Sequence, residues 1–239
     1  MPQKKPEDMT REELLEAVAA SSSMMQGFMK AEQAKKVRNF KELNAIAKKG
    51  QILFTGSSLM EQFPVEEYAI ANDLGKIVYN RGIGGTTTDD FLREIDAVLF
   101  DLEPSRIFIN IGTNDINARS DGEYWQDHLL RNYENILQQI KERLPEAEVY
   151  MMAYYPVHPN LPGTAEWAQA AFKTRTNEAL NDTNAKVKLL AEKYGFHYID
   201  VNDGIKEPDG QLRADITVEG MHMYAGGYAS IYENLKKYL

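Results

Sequence analysis

From residue 51 onward the chain is punctuated by five short apolar runs: QILFT (51–55), KIVYN (76–80), RIFINI (106–111), EVYMMAY (148–154) and FHYIDV (196–201). Each is rich in β-branched or aromatic residues and bounded by turn formers, so each predicts a strand. Between them, apolar residues recur at helical spacing and predict helices at about 87–100, 123–144 and 165–194, the last stopped by Gly195. Strands alternating with helices of this length require crossovers between parallel neighbours, with helices on both faces of the sheet. The predicted class is α/β: a three-layer α/β/α, flavodoxin-like architecture around a mostly parallel five-stranded sheet.

The first fifty residues have a different texture. Thr10 and Glu13 stand at capping-box spacing, followed by Leu14, Leu15, Val18, Ala19, Met24, Met25, Phe28 and Met29 on a drifting helical face. One or two amphipathic helices are expected to about Ala47, with Ser21-Ser22-Ser23 and Gly27 marking the break if there are two. The simplest fate for this face is packing on the sheet; covering a neighbouring domain or forming a homodimer contact is the alternative. The expected organisation is a helical extension over 1–49, packed on the core, and a principal domain over 50–239.

Length and composition agree with one globular core, since 239 residues with 43% hydrophobic and 26% charged side chains can bury a substantial interior but not two large ones. A formal net charge of −9 argues against nucleic acid and against anionic membrane surfaces, both of which need clustered Lys and Arg. The first thirty residues lack the apolar stretch of a secretory signal and no segment has the length of a membrane span, so a cytoplasmic protein without integral membrane contact is expected. The absence of Cys excludes disulfides, thiol nucleophiles and thiolate metal sites. Chemistry here must use oxygen, nitrogen or carboxylate groups.

In a parallel sheet, ligands bind beyond the carboxyl ends of the strands, which directs attention to the residues just after each run. After the first comes Thr55-Gly56-Ser57-Ser58-Leu59, a tight turn with a hydroxyl at a strand-to-helix junction, where a serine serves either as an N-cap or as a nucleophile. After the second comes Asn80-Arg81-Gly82-Ile83-Gly84-Gly85-Thr86, whose glycines allow backbone N–H groups close to a ligand. Its spacing does not fit G-x-G-x-x-G, and no Gly-Lys-Ser/Thr of a P-loop occurs in the chain. After the third comes Gly112-Thr113-Asn114-Asp115, in which Asn114 is either an ordinary turn residue or an amide donor at the sheet edge. The segment 156–164, PVHPNLPGT, reads as a long loop able to border a pocket.

Beyond the last run lies ITVEGMHMYAGGY (216–228), with Glu219 three residues before His222. The other histidines fall in a helix (His128), the Pro-rich loop (His158) and the last strand (His197), so His222 alone has a carboxylate at short range in a loop. A nucleophile, oxyanion donors and an acid–base pair at separate strand ends would make a complete acyl-transfer set.

Together the four segments resemble the SGNH hydrolase superfamily, the GDSL-type esterases and lipases, over roughly residues 50–239. The resemblance implies Ser58 as nucleophile, His222 as general base and Glu219 as the acid that orients it, with oxyanion donors in the Ser58 and Gly85 N–H groups and the Asn114 amide. It implies a serine esterase acting on short-chain carboxylic esters through an acyl-enzyme, with no metal or organic cofactor. Within the superfamily the closest look is that of the platelet-activating-factor-acetylhydrolase-like esterases.

The chain departs from the family pattern at two positions: Ser57 stands where the family usually has Asp, and Glu219 stands where the acid is usually Asp. Glu is one methylene longer, which makes Asp215 the reserve acid and leaves a catalytically impaired binding module of the same fold as an alternative. A deacetylase of acetylated carbohydrates is another, with Tyr124, Trp125, Tyr154, Tyr155 and Trp167 as stacking candidates. Expected ligands are accordingly small-molecule, lipid or carbohydrate esters.

Overall fold

A computed structural model describes Lys5 and residues 8–239. Of the predicted 1–49 extension, residues 1–4, 6 and 7 lie outside the described residues.

The first helix, α1 (Arg11–Asn44), is one continuous helix of 34 residues opened by the predicted capping box: the Thr10 hydroxyl accepts from Glu13 N–H, and the Glu13 carboxylate accepts from Thr10 N–H. Of the two alternatives the one-helix form holds, with no break at Ser21–Gly27. A single glycine inside a helix costs about 1 kcal/mol, which a helix of this length absorbs. Its two halves have different surroundings. Residues 31–44 touch the body, where Asn44 donates to the Ala97 carbonyl and accepts from Arg81, and the Arg81 guanidinium lies over the rings of Phe40 and Tyr79. Residues 14–28 do not pack on the sheet: Leu15, Val18, Met24, Met25 and Phe28 are all exposed.

The sheet comprises β1 (Ile52–Gly56), β2 (Val78–Asn80), β3 (Arg106–Asn110), β4 (Glu148–Met152) and β5 (His197–Ile199), in the spatial order β2-β1-β3-β4-β5. Every pairing is parallel. Strands buried on both faces need no alternation, which is why the runs read as continuous apolar stretches. On one face Leu53, Ile107, Ile109, Val149 and Met151 join a core with α4 (Thr88–Arg93), α5 (Ile95–Val98), α6 (Trp125–Arg143) and α8 (Asn177–Tyr194). On the other, Phe54, Phe108 and Met152 meet α2 (Ser58–Glu61), α3 (Val65–Ala71) and α9 (Ala225–Leu235). Register alignment stacks Phe54 on Phe108 (4.6 Å), Phe108 on Tyr150 (4.9 Å) and Tyr150 on His197 (4.8 Å), an aromatic row across four strands. Each such pair is worth about 0.5–1.5 kcal/mol beyond its burial. The structure is thus a three-layer α/β/α fold with an all-parallel five-stranded sheet.

Two predicted helices are divided. The 87–100 segment forms α4, capped by Thr87 and Asp90, and then the separate one-turn α5. The 165–194 segment forms α7 (Glu166–Ala171) and α8, because the Thr176 hydroxyl accepts from Ala179 N–H and starts a new helix. The interruption between them, residues 172–176, carries Thr174 and Arg175 toward the carboxyl edge of the sheet, where Thr174 donates to the Ile116 carbonyl.

Candidate active site

All four sequence blocks converge beyond the carboxyl edge of the sheet. Gly56 ends β1 at φ +150°, and a Cβ there would lie 2.0 Å from the Asn110 carbonyl oxygen, so no other residue fits this turn without displacing β3. The turn puts Ser57 in extended conformation and Ser58 at the first position of α2. Ser57 is fully buried, and its hydroxyl has no partner among the described residues and caps nothing. Ser58 faces outward, and its Oγ lies 2.8 Å from His222 Nε2.

His222 is held from behind by Glu219. The Oε1 atom of Glu219 is 2.5 Å from His222 Nδ1 and also accepts the His222 backbone N–H at 3.2 Å. This double contact resolves the difficulty of the longer side chain, since a tight loop folds the carboxylate back over its own i+3 residue. Val218 N–H and the Thr217 hydroxyl both donate to the His222 carbonyl, Gly220 N–H donates to Thr217 Oγ1, and Tyr224 N–H donates to the Ile216 carbonyl. Gly220, at φ +99°, lies so close to the His158 carbonyl that a Cβ would come within 2.5 Å of it. His158 N–H in turn donates to the Gly220 carbonyl at 2.7 Å, so the Pro-rich loop braces the histidine loop. Asp215, the reserve acid, is engaged elsewhere: both its oxygens pair with Arg213, at 3.0 and 2.6 Å.

The glycine block is tied to its neighbours at several points. Asn80 donates to the Met60 and Phe63 carbonyls and accepts Gly82 N–H, and Ile83 N–H reaches the Gly56 carbonyl at 3.0 Å. A Cβ on Gly82 would stand 2.3 Å from Glu61 N, and one on Gly84 would touch Ser58 Cβ at 3.6 Å. Close approach of this loop to α2 therefore demands glycine at position 82. Neither Ser58 N–H nor Gly85 N–H has an acceptor among the described residues. The Asn114 amide donates to the Thr86 carbonyl at 2.9 Å, leaving its second N–H for another acceptor.

Arg175 reaches the site from outside the four blocks. Arg175, delivered by the interruption between α7 and α8, donates to Asn114 Oδ1 at 3.1 Å and thereby fixes which way the amide faces. Burial pushes its guanidinium down to about 10, opposed by the charges of Asp115 and Glu219. Asp115 is buried as well, and burial raises its carboxyl to about 6 against the lowering effect of its hydrogen bonds from Thr88. Those bonds tie the turn carrying Asn114 to the start of α4. The available sequence signal was Thr176 followed by Glu178, a cap with an acidic first turn that marks a new helix start.

A small cavity of about 10 Å³ opens beside Ser58 and His222, walled by Leu59, Thr113, Tyr155, Val157, Arg175 and Met221. That is about the room one water needs. Of the five aromatics considered for sugar stacking, Tyr154 and Tyr155 belong to the core, at 2% and 1% exposure, one in the cluster on each face of the sheet. Tyr124 and Trp167 are exposed. No helix among the described residues is long and apolar enough to cross a membrane.

Comparison with known proteins identifies the family and the fold. The chain is 24% identical over 196 residues to platelet-activating factor acetylhydrolase IB subunit alpha2 of Rattus norvegicus, covering 79% of this chain and 75% of that one. A solved structure of a candidate platelet activating factor from Streptococcus pneumonia superposes with a TM-score of 0.80 at 30% identity, covering 92% of this chain and 98% of the other. An acetylxylan esterase from Geobacillus stearothermophilus shares the fold, with a TM-score of 0.61 at 15% identity over 80% of this chain and 94% of its own. Residues 56–229, most of the chain and all four blocks, match the model of the GDSL-like lipase/acylhydrolase family, and the protein belongs to that family.

Proposed function

We propose that the protein is a serine esterase that cleaves short-chain carboxylic esters through an acyl-enzyme. The observation that carries this reading is the unbroken chain Ser58 Oγ, His222 Nε2, His222 Nδ1, Glu219 Oε1, with spacings of 2.8 and 2.5 Å at its two ends. Glu219 accepts a hydrogen bond from Nδ1–H, which keeps the proton on that nitrogen and leaves Nε2 as the base facing Ser58. As Ser58 attacks the ester carbonyl, His222 takes the hydroxyl proton and later delivers it to the leaving alcohol. Water then attacks the acyl-enzyme by the reverse proton path.

Charge developing on the carbonyl oxygen has three donors available: Ser58 N–H, Gly85 N–H and the second N–H of Asn114. Preorganised donors of this kind are worth more in the transition state than in the ground state. Asn114→Ala is accordingly expected to lower kcat on p-nitrophenyl acetate by about 10²–10³-fold with little change in KM. A rise in KM at constant kcat would remove Asn114 from this role.

The space beside the nucleophile is small, about 10 Å³, which argues against a long acyl chain seated there and favours short ones. A series of p-nitrophenyl esters from acetate to octanoate tests this, with kcat/KM falling as the chain lengthens. Acetylated sugars and lysophospholipids run in parallel identify the alcohol portion.

A further inference from the structure

Residues Ile83–Thr86 form a turn, closed by Thr86 N–H to the Ile83 carbonyl at 3.4 Å, with Gly84 and Gly85 at its two central positions. Turns of this kind come in two forms that differ mainly by a half-rotation of the central peptide plane, here the one joining Gly84 to Gly85. Gly85 sits at φ +74°, close to the roughly +80° of the form in which that plane is rotated. Two glycines remove the steric cost that would otherwise select a form. Gly85 N–H, one of the three oxyanion donors, belongs to this freely turning peptide. Its direction therefore has to be fixed by something outside the turn.

That something is α1. Gln33 Nε2 donates to the Gly84 carbonyl at 2.9 Å. In a planar trans peptide the carbonyl and the N–H point in opposite directions, so holding Gly84 C=O toward α1 aims Gly85 N–H away from α1, where it meets no acceptor among the described residues. The preceding peptide is held as well: Gly84 N–H donates to Glu61 Oε2 at 2.5 Å, while the other Glu61 oxygen is paired with Lys36 of α1. Met29 closes the arrangement, its methyl lying where a Gly85 Cβ would come within 3.0 Å. Gln33 and Lys36 both lie outside residues 56–229, the part that matches the family.

We propose that Gln33 is a positioning residue for the oxyanion hole, and that α1, through Gln33 and the Lys36–Glu61 pair, locks the Gly84–Gly85 peptide in the orientation that presents Gly85 N–H to the substrate. This deepens the esterase reading and rests on it.

The test compares Gln33→Met, which keeps the side chain's bulk and loses the donor, with Gln33→Lys, which keeps a donor. On p-nitrophenyl acetate, Gln33→Met is expected to lower kcat about tenfold, less than outright loss of a donor, with KM and melting temperature unchanged. Gln33→Lys should recover most of that loss. Equal turnover by wild type and Gln33→Met, or a loss of activity that tracks a loss of melting temperature, overturns the proposal. Gln33→Lys behaving like Gln33→Met overturns it also. The Gly85 amide resonance in a ¹⁵N-labelled sample gives a readout independent of turnover. It is expected to shift or broaden in Gln33→Met as the peptide samples both orientations, and an unmoved resonance contradicts the proposal whatever the kinetics. Wild-type hydrolysis that survives Ser58→Ala would instead strike the esterase reading and leave the amide measurement standing.

Discussion

Ser58→Ala is expected to reduce hydrolysis of p-nitrophenyl acetate by at least about 10³-fold, to the rate left by binding and the oxyanion donors alone. The fold should survive, because the side chain is partly exposed and Ala is a good helix former at the first position of α2; stability within about 0.5 kcal/mol of wild type is expected by thermal melting. Ser57→Ala supplies the control. The Ser57 hydroxyl is buried without a partner and faces neither His222 nor any donor, so its removal should leave turnover near wild type. If Ser57→Ala proved to be the dead variant, the register of the first block would be off by one residue.

Glu219→Gln is expected to lower kcat by about 10²–10⁴-fold, because a neutral amide neither holds the Nδ1 proton nor stabilises the imidazolium that forms as Ser58 is deprotonated. KM should move little. Asp215→Asn should leave kcat within about twofold of wild type, since its carboxylate is occupied by Arg213 rather than by the histidine. The pair of variants separates the two acids. A large loss from Asp215→Asn with a small one from Glu219→Gln would reverse the assignment and require the histidine loop to rearrange during turnover.

The sheet was legible because its strands are buried on both faces. Runs such as ILF at 52–54 and IFIN at 107–110 carry no helical period, and their order along the chain dictates parallel pairing. What the residues did not disclose was where long helical patterns are cut. Glu94 between α4 and α5, and Thr176 before α8, interrupt segments whose apolar spacing runs on without a break. At α1 the contrast runs the other way, since of one helix or two it is one that forms. Ser21–Ser23 and Gly27 look like punctuation, yet nothing there terminates the helix, and the apolar face they sit beside stays exposed instead of joining the core.

The same contrast holds at the site. Ser58, Gly85, Asn114, Glu219 and His222 could be placed because each lies in a segment beyond a strand end, and strand ends are where a parallel sheet gathers its chemistry. Arg175, Gln33 and Lys36 could not, since they reach the site from other elements, across separations of 61, 51 and 25 residues from the groups they touch. Glu219 marks the middle ground. Its position was legible, but whether its extra methylene could be accommodated depended on the hydrogen bonds of Thr217, Gly220 and His158, none of which spacing alone announces.

In the proposed mechanism, Ser58 is a nucleophile activated by His222. The most direct measurement is covalent labelling with a fluorophosphonate probe, with the adduct located by peptide mass spectrometry. A single adduct on Ser58 is expected, absent in Ser58→Ala and strongly slowed in His222→Ala. An adduct on Ser57, or an active enzyme that hydrolyses ester while taking no label on Ser58, would contradict it.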